Sequence, residues 1–585
     1  MLGPLLRHVD ESSATLWLEV SGPATVRVDA SGVSATTRTF AVHGHHYALV
    51  ELSGLGAGTR RPYQVRLDDA VVWPPADSEF PPSVIATPAG DGPLAIAYGS
   101  CRTAVPHDRR GHETHGVDAM RTYALRLAGA VPPADDSAAL ETLAWPDLLL
   151  LLGDQVYADE TSEEMQEFIA SRRDPDEPPG EELKDYEEYA HLYSLAWSDP
   201  ANRWLLSTVP SAMIFDDHDV RDDWNTSQSW REQMEQTPWW HGRIVAALSS
   251  YWVYQHLGNM SAAEREQDEL WRSVRDHEGP QGPDLGPELD EFAARVDQQP
   301  ETYRWSYSRD FGTRARLVVV DSRAARVLDP QHRAMLDPDE LGWLDRQVQG
   351  DVDHLLIGTS LPFLLSQGLH HVEGFSEALA QGAWGRLSSR AGERIRQTVD
   401  LEHWAAFQDS FLRVADMVIE VASGERGRAP STVTFLSGDV HHSYLSSARL
   451  SRREARRRKP LHSTLLQAVC SPIRNPLELK MRFATAALAY GVAGPVGRLV
   501  SLSAKVPASP LRWRNVEGPW FDNNIGLLET SGGQLRLRWF TSQILGEDHA
   551  HPRLRQIVER VEGSAAQRPA GRDERDRESL TAGRE

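Results

Sequence analysis

Five short apolar runs, spread through the middle of the chain, each stop at a residue able to hold a metal ion. They are LAIAYGSC at Cys101, PDLLLLLGDQVY at Asp154 and Tyr157, SAMIFDDHD at Asp217 and His218, DHLLIGTS at Thr359 and Ser360, and TVTFLSGDVHH at Asp439 and His441. Each reads as a short buried strand giving way at once to a polar turn. In open α/β layers, ligands collect in the crevice beyond the carboxyl ends of the strands, so residues far apart in sequence converge on one rim. A hydrolase built on clustered metals is the class of function this repetition favours.

At 585 residues the chain is long enough for two or three domains. Its formal charge of -23 disfavours a broad basic face for nucleic acid. An anionic small substrate stays open, because metals dominate the field of their own site. The two cysteines, Cys101 and Cys470, form no CxxC pair, which argues against a disulfide scaffold and permits a reducing compartment. The opening MLGPLLRHVDESSATLWLEV lacks a basic flank followed by a sustained apolar stretch, so a strand-forming start and a cytoplasmic location are expected. PDLLLLLG falls far short of the ~18 apolar residues of a membrane span. The longer apolar stretch at 481–504 is interrupted by Gly and Pro and reads as a helix packed on the body.

Residues 1–92 alternate apolar and polar positions between Gly-, Ser- and Asp-rich turns, as in TVRVDA and YQVRLDD, which predicts a β-sandwich followed by a Pro-rich linker at 73–93. From 93 to 556, strands alternate with longer helical segments, giving α/β layers. Within them, 163–197 reads as acidic helices around a Pro-rich turn, 239–257 as a largely buried helix, and 262–299 as an acidic, turn-rich peripheral excursion. The basic stretch 447–460 is either a solvated loop or an attractor of anionic substrate or surface. Residues 511–540 read as late strands, and the Arg-, Glu- and Gly-rich tail from 557 to 585 as disordered.

Asp154 follows five leucines and could bridge two cations, with Tyr157 close enough to converge on them. A tyrosinate ligand needs a strongly acidic metal and favours Fe(III) over Mg or Ca. The competing reading is a capping aspartate with a core tyrosine. Cys101 could supply a thiolate or be a small core residue, and Arg102 beside it could hold a phosphate oxygen or pair with a carboxylate. FDDHDVRDDWN packs five aspartates and a histidine together, more anionic density than a structural turn needs. There Asp217 is the preferred ligand and His218 the preferred acid, while Asp216, Asp219, Asp222, Asp223 and Asn225 are candidates for a third, harder cation. Asp439 and His441, two residues apart in an extended turn, could face one metal pair, leaving His442 structural. Thr359 and Ser360 are weak donors that could orient water. Arg323, in DSR, could bind phosphate or pair with Asp321. His370 and His371 are candidates for the rim, and the HGHH stretch at 43–46 stands apart in the β-rich region.

Taken in order, GSCR, GDQVYAD, FDDHDVRDDWN, DSR, GTSLPFLL and SGDVHHSY resemble the alkaline phosphatase D (PhoD-like) family of metallophosphoesterases over residues 94 to about 540. The resemblance implies a four-layer α/β/β/α catalytic domain behind an N-terminal immunoglobulin-like domain. It also implies Fe(III) held by Cys101, Asp154, Tyr157 and His441, a second ion, Ca2+, held by Asp154, Asp217 and Asp439, and His218 serving the leaving group. DDH and GDVH stand where the wider superfamily often has GNH and GHxH, which favours an oxygen-loving second ion. DDWN departs from the family's paired asparagines, and the absence of an export signal is a second departure. The expected reaction is hydrolysis of a small-molecule or polymeric phosphomonoester or phosphodiester by water activated between the metals, helped by Arg102 and Arg323. The alternatives are a noncatalytic binding protein on a degenerate phosphoesterase fold and an iron-dependent oxygenase.

Overall fold

The computed structural model describes residues 1–90, 92–134, 143–279, 281–380, 402–477, 482, 503–504 and 506–563. The first nine strands are β1 (Leu2–Val9), β2 (Ser13–Val20), β3 (Thr25–Ala30), β4 (Val33–Arg38), β5 (Phe40–Val42), β6 (His45–Ser53), β7 (Arg60–Leu67), β8 (Ala70–Trp73) and β9 (Val84–Ala86). They form two sheets, ordered β1-β2-β6-β5 and β4-β3-β7-β8, with β9 on β7, so the Pro-rich stretch expected as linker also contributes a strand. Alternation decides which side chains enter the shared core: in TVRVDA, Val26 and Val28 point in while Thr25 and Arg27 are exposed. β1 and β2 are buried on both faces. Leu6, Leu16 and Leu18 fill the core between the sheets, while Leu5 and Trp17 pack against the rest of the molecule.

The body holds two larger sheets. One contains β10 (Ala95–Gly99), β11 (Leu148–Leu152), β12 (Ser211–Ile214), β20 (Asn524–Ser531), β21 (Gln534–Gln543) and β22 (Arg553–Gly563), in the order β12-β11-β10-β20-β21-β22. The other contains β13 (Tyr307–Asp310), β14 (Ala315–Val320), β15 (His354–Thr359), β16 (Thr432–Ser437), β17 (Ser443–Leu450), β18 (Thr464–Val469) and β19 (Leu511–Trp520), in the order β13-β14-β15-β16-β18-β17-β19. β10, β11 and β12 run parallel, as do β14, β15, β16 and β18. In the second sheet, Leu317, Val319, Leu356 and Leu436 join the core around β11, while Val318, Val320, Leu355 and Phe435 face Phe411, Val414 and Val418 of the helix Gln408–Ala422. The sheets meet closely: a methyl group on Gly358 would stand 3.2 Å from Leu152 Cδ2. The helix Ala119–Leu127 packs on β20, β21 and β22.

Several sequence expectations need adjustment. The stretch 262–299 is not a loose excursion: the helix Gly286–Gln298 buries Leu289, Phe292, Ala293 and Val296 against the helix Trp240–Tyr251. Their i, i+3, i+4, i+7 spacing is the apolar stripe of a packed helix. β22 runs to Gly563, past residue 557 where the disordered tail was expected. As an edge strand it is held by ten residue pairs with β21 and buries Leu554, with Ile557 and Val558 packed on the core, while its charged residues give it the composition of a tail. The remainder of the tail, and all but Arg482, Ser503 and Ala504 of the 481–504 stretch, lie outside the described residues. No helix among the described residues is long and apolar enough to cross a membrane.

Candidate metal centre

Five of the parallel strands deliver candidate site residues at or just beyond their carboxyl ends. Cys101 follows β10, Asp154 follows β11, Asp216 and Asp217 follow β12, Thr359 closes β15, and Asp439 and His441 follow β16. Four of these residues sit in the left-handed region that non-glycine residues avoid, with φ of 57° at Cys101, 47° at Asp154, 63° at Asp439 and 49° at His441. Such strain persists only where its surroundings enforce it, and it gathers at functional sites. The two sheets pinch together here: a Cβ on Gly438 would fall 1.9 Å from Ser100 Oγ, so only glycine lets the loop carrying Asp439 approach Cys101.

Donor atoms of Cys101, Asp154 and His441 lie within 4.8 Å of one another, as do those of Asp154, Asp216, Asp217 and Asp439. Asp154 belongs to both groups, which is the geometry of a bridging carboxylate. Tyr157 Oη stands 3.5 Å from Asp154 Oδ2. The Cys101 sulfur receives Ser471 Oγ at 3.2 Å and lies 3.1 Å from Ser100 Oγ. Asp154 Oδ1, Asp216 Oδ2 and Thr359 Oγ1 are buried without a hydrogen-bond partner among the described residues. Buried carboxylate oxygens left unpaired are costly, and a cation in the space between them would remove that cost.

Electrostatics agree with a site built for cations. Burial, reinforced by Asp154 and Asp439, pushes the Cys101 thiol well above its ordinary range. Burial and then Cys101 do the same to Tyr157, and burial with Asp216 raises Asp154. Asp217 rises to about 6, chiefly from burial, with Arg323 opposing. Burial lowers His441 to about 4, leaving a neutral imidazole at neutral pH, the form that binds metals. Asp439 falls to about 2: burial works against the charge, but the hydrogen bond and charge of His403 outweigh it.

The FDDHDVRDDWN residues divide their work. Asp219 is structural, accepting the backbone N–H groups of Asp154 and Asp216 at 2.9 Å and Gln255 Nε2 at 3.0 Å. Asn225 donates to the Arg323 carbonyl, and the Asp223 amide donates to Asp217 Oδ2 at 3.0 Å. Of the aspartates that are candidates for a third cation, Asp222 has a donor atom grouped with Asp217 and His218. His218 turns Nδ1 toward Asp159 at 2.9 Å and lays its ring 4.7 Å from that of Tyr157.

Two expectations fail on geometry. Arg102 is 2% exposed, donates from Nε to Asp118 at 2.9 Å and from Nη1 to the Ala196 carbonyl at 2.7 Å, and so is spent in the core. Arg323 is fully buried and pairs with Asp216, Asp217 and Glu402 rather than Asp321, neutralising the acidic cluster from beneath. Neither guanidinium is free to clamp a phosphate. Arg102→Ala is therefore expected to cost about 3–5 kcal/mol of stability by stranding Asp118. Urea unfolding should record that loss while metal content stays at the wild-type level.

Other residues enter that the sequence did not single out. His403 Nε2 lies 3.0 Å from Asp439 Oδ2, and its Nδ1 lies 2.7 Å from the buried Glu373. Neither follows an apolar run, so no strand-end signal marked them. Asp159 closes the same GDQVYAD turn as Asp154, a position that could have suggested its pairing with His218. His370 is buried against Phe411 and Trp513 rather than on a rim, His442 bonds the Val440 carbonyl, and Ser360 Oγ lies 2.8 Å from Ser322 Oγ.

Comparison with known proteins accords with this arrangement. Residues 1–85 match a domain of unknown function, DUF7800. No curated protein matches the chain. A solved structure described as "Structure of PhoD" aligns with a TM-score of 0.53 at 13% identity, covering 97% of this chain and 92% of that one, a likeness of fold. The type III pullulan hydrolase from Thermococcus kodakarensis, at 10% identity and covering 93% of this chain and 95% of that one, has a TM-score of only 0.14 and carries no argument. The PhoD-like phosphatase family matches residues 137–481, more than half of the chain and most of the candidate ligands. The chain belongs to the PhoD-like phosphatase family, and with it to the phosphoesterase-type hydrolases.

Proposed function

We propose that the protein is a metal-dependent hydrolase of phosphomonoesters or phosphodiesters. The observation that carries this reading is the single buried carboxylate, Asp154, shared by a Cys- and His-containing donor group and an all-carboxylate one. Cys101, Tyr157, Asp154 and His441 suit Fe(III), whereas Asp154, Asp217 and Asp439 offer hard oxygen donors suited to Ca2+. When bound, such a pair supplies an activated water and neutralises charge on the phosphoryl oxygens.

The chain's own residues do the rest. Asp159 fixes Nδ1 of His218, which leaves Nε2 to protonate the departing alkoxide. Burial disfavours charge on His218, but Asp159, Asp217 and Asp154 outweigh it and hold the imidazole well above its ordinary value, in the form an acid needs. Glu373 and His403 fix the orientation of the Asp439 carboxylate. Arg323 and Arg326, both on Glu402, offset the concentrated negative charge beneath the site. The two facing sheets with outer helices support a four-layer α/β/β/α catalytic domain from 93 to the end of β22 at Gly563, and the nine N-terminal strands support an immunoglobulin-like domain over 1–92.

Elemental analysis of untagged protein, with its visible spectrum, tests the metal assignment. Iron near one equivalent with a charge-transfer band that disappears in Tyr157→Phe is expected, and redox-silent divalent ions alone would remove iron from the reading. Leaving-group dependence tests His218. His218→Ala should slow hydrolysis of alkyl esters about 10²–10⁴-fold and of activated nitrophenyl esters far less. Equal losses on both would remove its role as acid.

A further inference from the structure

Charge is distributed unevenly along this chain. Between His441 and Val516 there are fourteen Lys and Arg residues against only Glu454 and Glu478, a net +12 within a chain of net -23. The fold gathers part of this block on one surface. In the β17–β19 pair, Arg449 lies directly opposite Arg512, and Ser447 opposite Arg514. Directly opposed residues and i, i+2 neighbours share a sheet face, so the three arginines line one face, and all three are exposed. β17 then runs straight into the turn at 451–460, tied back to this edge by the Ser451 amide on the Pro510 carbonyl, where Arg452, Arg456 and Arg457 are also exposed. Nearby Arg458 and Lys459 are taken up by Asp416, Glu454 and Glu425, and Arg453 faces Glu454. These six arginines have no ion pair among the described residues.

We propose that this arginine surface docks the protein on an anionic lipid membrane. Six guanidinium groups on one edge are a phosphate-seeking surface, and a planar array of anionic headgroups can engage all of them together. Nucleic acid fits less well. Among the described residues the exposed large apolar side chains are Met1, Val71, Leu545 and Val561, none of them an aromatic ready for base stacking. By sequence, the acid-free stretch from 481 to 504, which leads into β19, is mostly apolar, a composition compatible with a lipid surface rather than a polynucleotide.

Topology gives the docking a direction. β17 leaves the candidate metal loop at Ser443 and reaches the arginine edge at Leu450, about 25 Å away along the strand. The metal end therefore stands apart from the arginines along the strand, where it can take a water-soluble ester rather than the lipids that hold the protein. The inference does not depend on the phosphoesterase reading.

Cosedimentation of the full chain with vesicles tests it. Binding to phosphatidylcholine vesicles carrying about 30 mol% phosphatidylglycerol, none to pure phosphatidylcholine, and release by added salt are expected. Combining Arg449→Ser, Arg512→Ser and Arg514→Ser should weaken binding about 100-fold, about fivefold per arginine. Since all three are exposed and remote from the metal end, hydrolysis of a soluble aryl phosphate should not change. Failure of the wild-type protein to bind, equal binding to both vesicles, or binding untouched by the triple substitution overturns the proposal. So does tighter binding of an oligonucleotide through the same arginines. A protein that docks but hydrolyses no ester would instead count against the catalytic reading alone.

Discussion

Asp154→Asn is expected to empty both cation positions and to lower kcat/KM by at least about 10³-fold, beyond what loss of one oxyanion donor costs a typical enzyme. The size of the effect follows from sharing: Asp154 is in both donor groups, so one substitution removes a ligand from each. Asparagine is the informative replacement because it tolerates the φ of 47° found there and resembles the protonated acid that burial favours. The fold should therefore survive, and thermal unfolding without metal should stay at or above the wild-type value. Asp216→Asn gives the contrast. It strips a partner from the buried Arg323 and should cost about 3–5 kcal/mol of stability. Measuring metal content and unfolding for both variants separates the carboxylate shared by both donor groups from one that belongs to a single group and also holds Arg323. Wild-type metal content in Asp154→Asn would sink the shared-carboxylate site.

The strand-end residues were legible in the sequence because a five-leucine run can only be buried, and whatever follows it must emerge at a sheet edge. That placed Cys101, Asp154, Tyr157, Asp217, Asp439 and His441 in one neighbourhood, and the strands β10, β11, β12, β15 and β16 now stand where the apolar runs were. Side-chain direction was not legible. Arg102 was expected at the phosphate because it adjoins Cys101, yet the left-handed turn at Cys101 sends the next side chain inward to Asp118. Arg323 was misplaced for a related reason: its nearest acid in sequence is Asp321, but Asp321 is occupied by the amides of Arg323, Ala324 and Ala325. His403 and Glu373 stayed hidden because His403 reaches Asp439 from a loop, and Glu373 reaches His403 from a helix, with no periodic signal pointing at the site.

The protons held in the metal-free site set the second large effect: the stabilisation conferred by metal should grow steeply between about pH 5 and pH 7.5. Asp217, raised to about 6, favours the metal-free fold below about pH 4, and that contribution is lost as pH rises through about 6. Burial also raises Asp154, Cys101 and Tyr157 well above their ordinary values, so they too resist giving up their protons. A cation must displace these protons, so apparent affinity should rise about tenfold per pH unit for each one released. His441, already neutral above about pH 4, contributes nothing to the slope in this window. The absolute melting curve is a poor witness, because His8 and His256, lowered by burial to about 3, and His107, lowered by burial to about 4, gain stability as pH rises and oppose Asp217. Those histidines are common to loaded and stripped protein, so subtracting the two melting temperatures at each pH isolates the metal site. Calcium titrations in buffers of different ionisation enthalpy would count the protons directly. A pH-independent difference with no proton release would mean that the buried carboxylates are not where the cations bind.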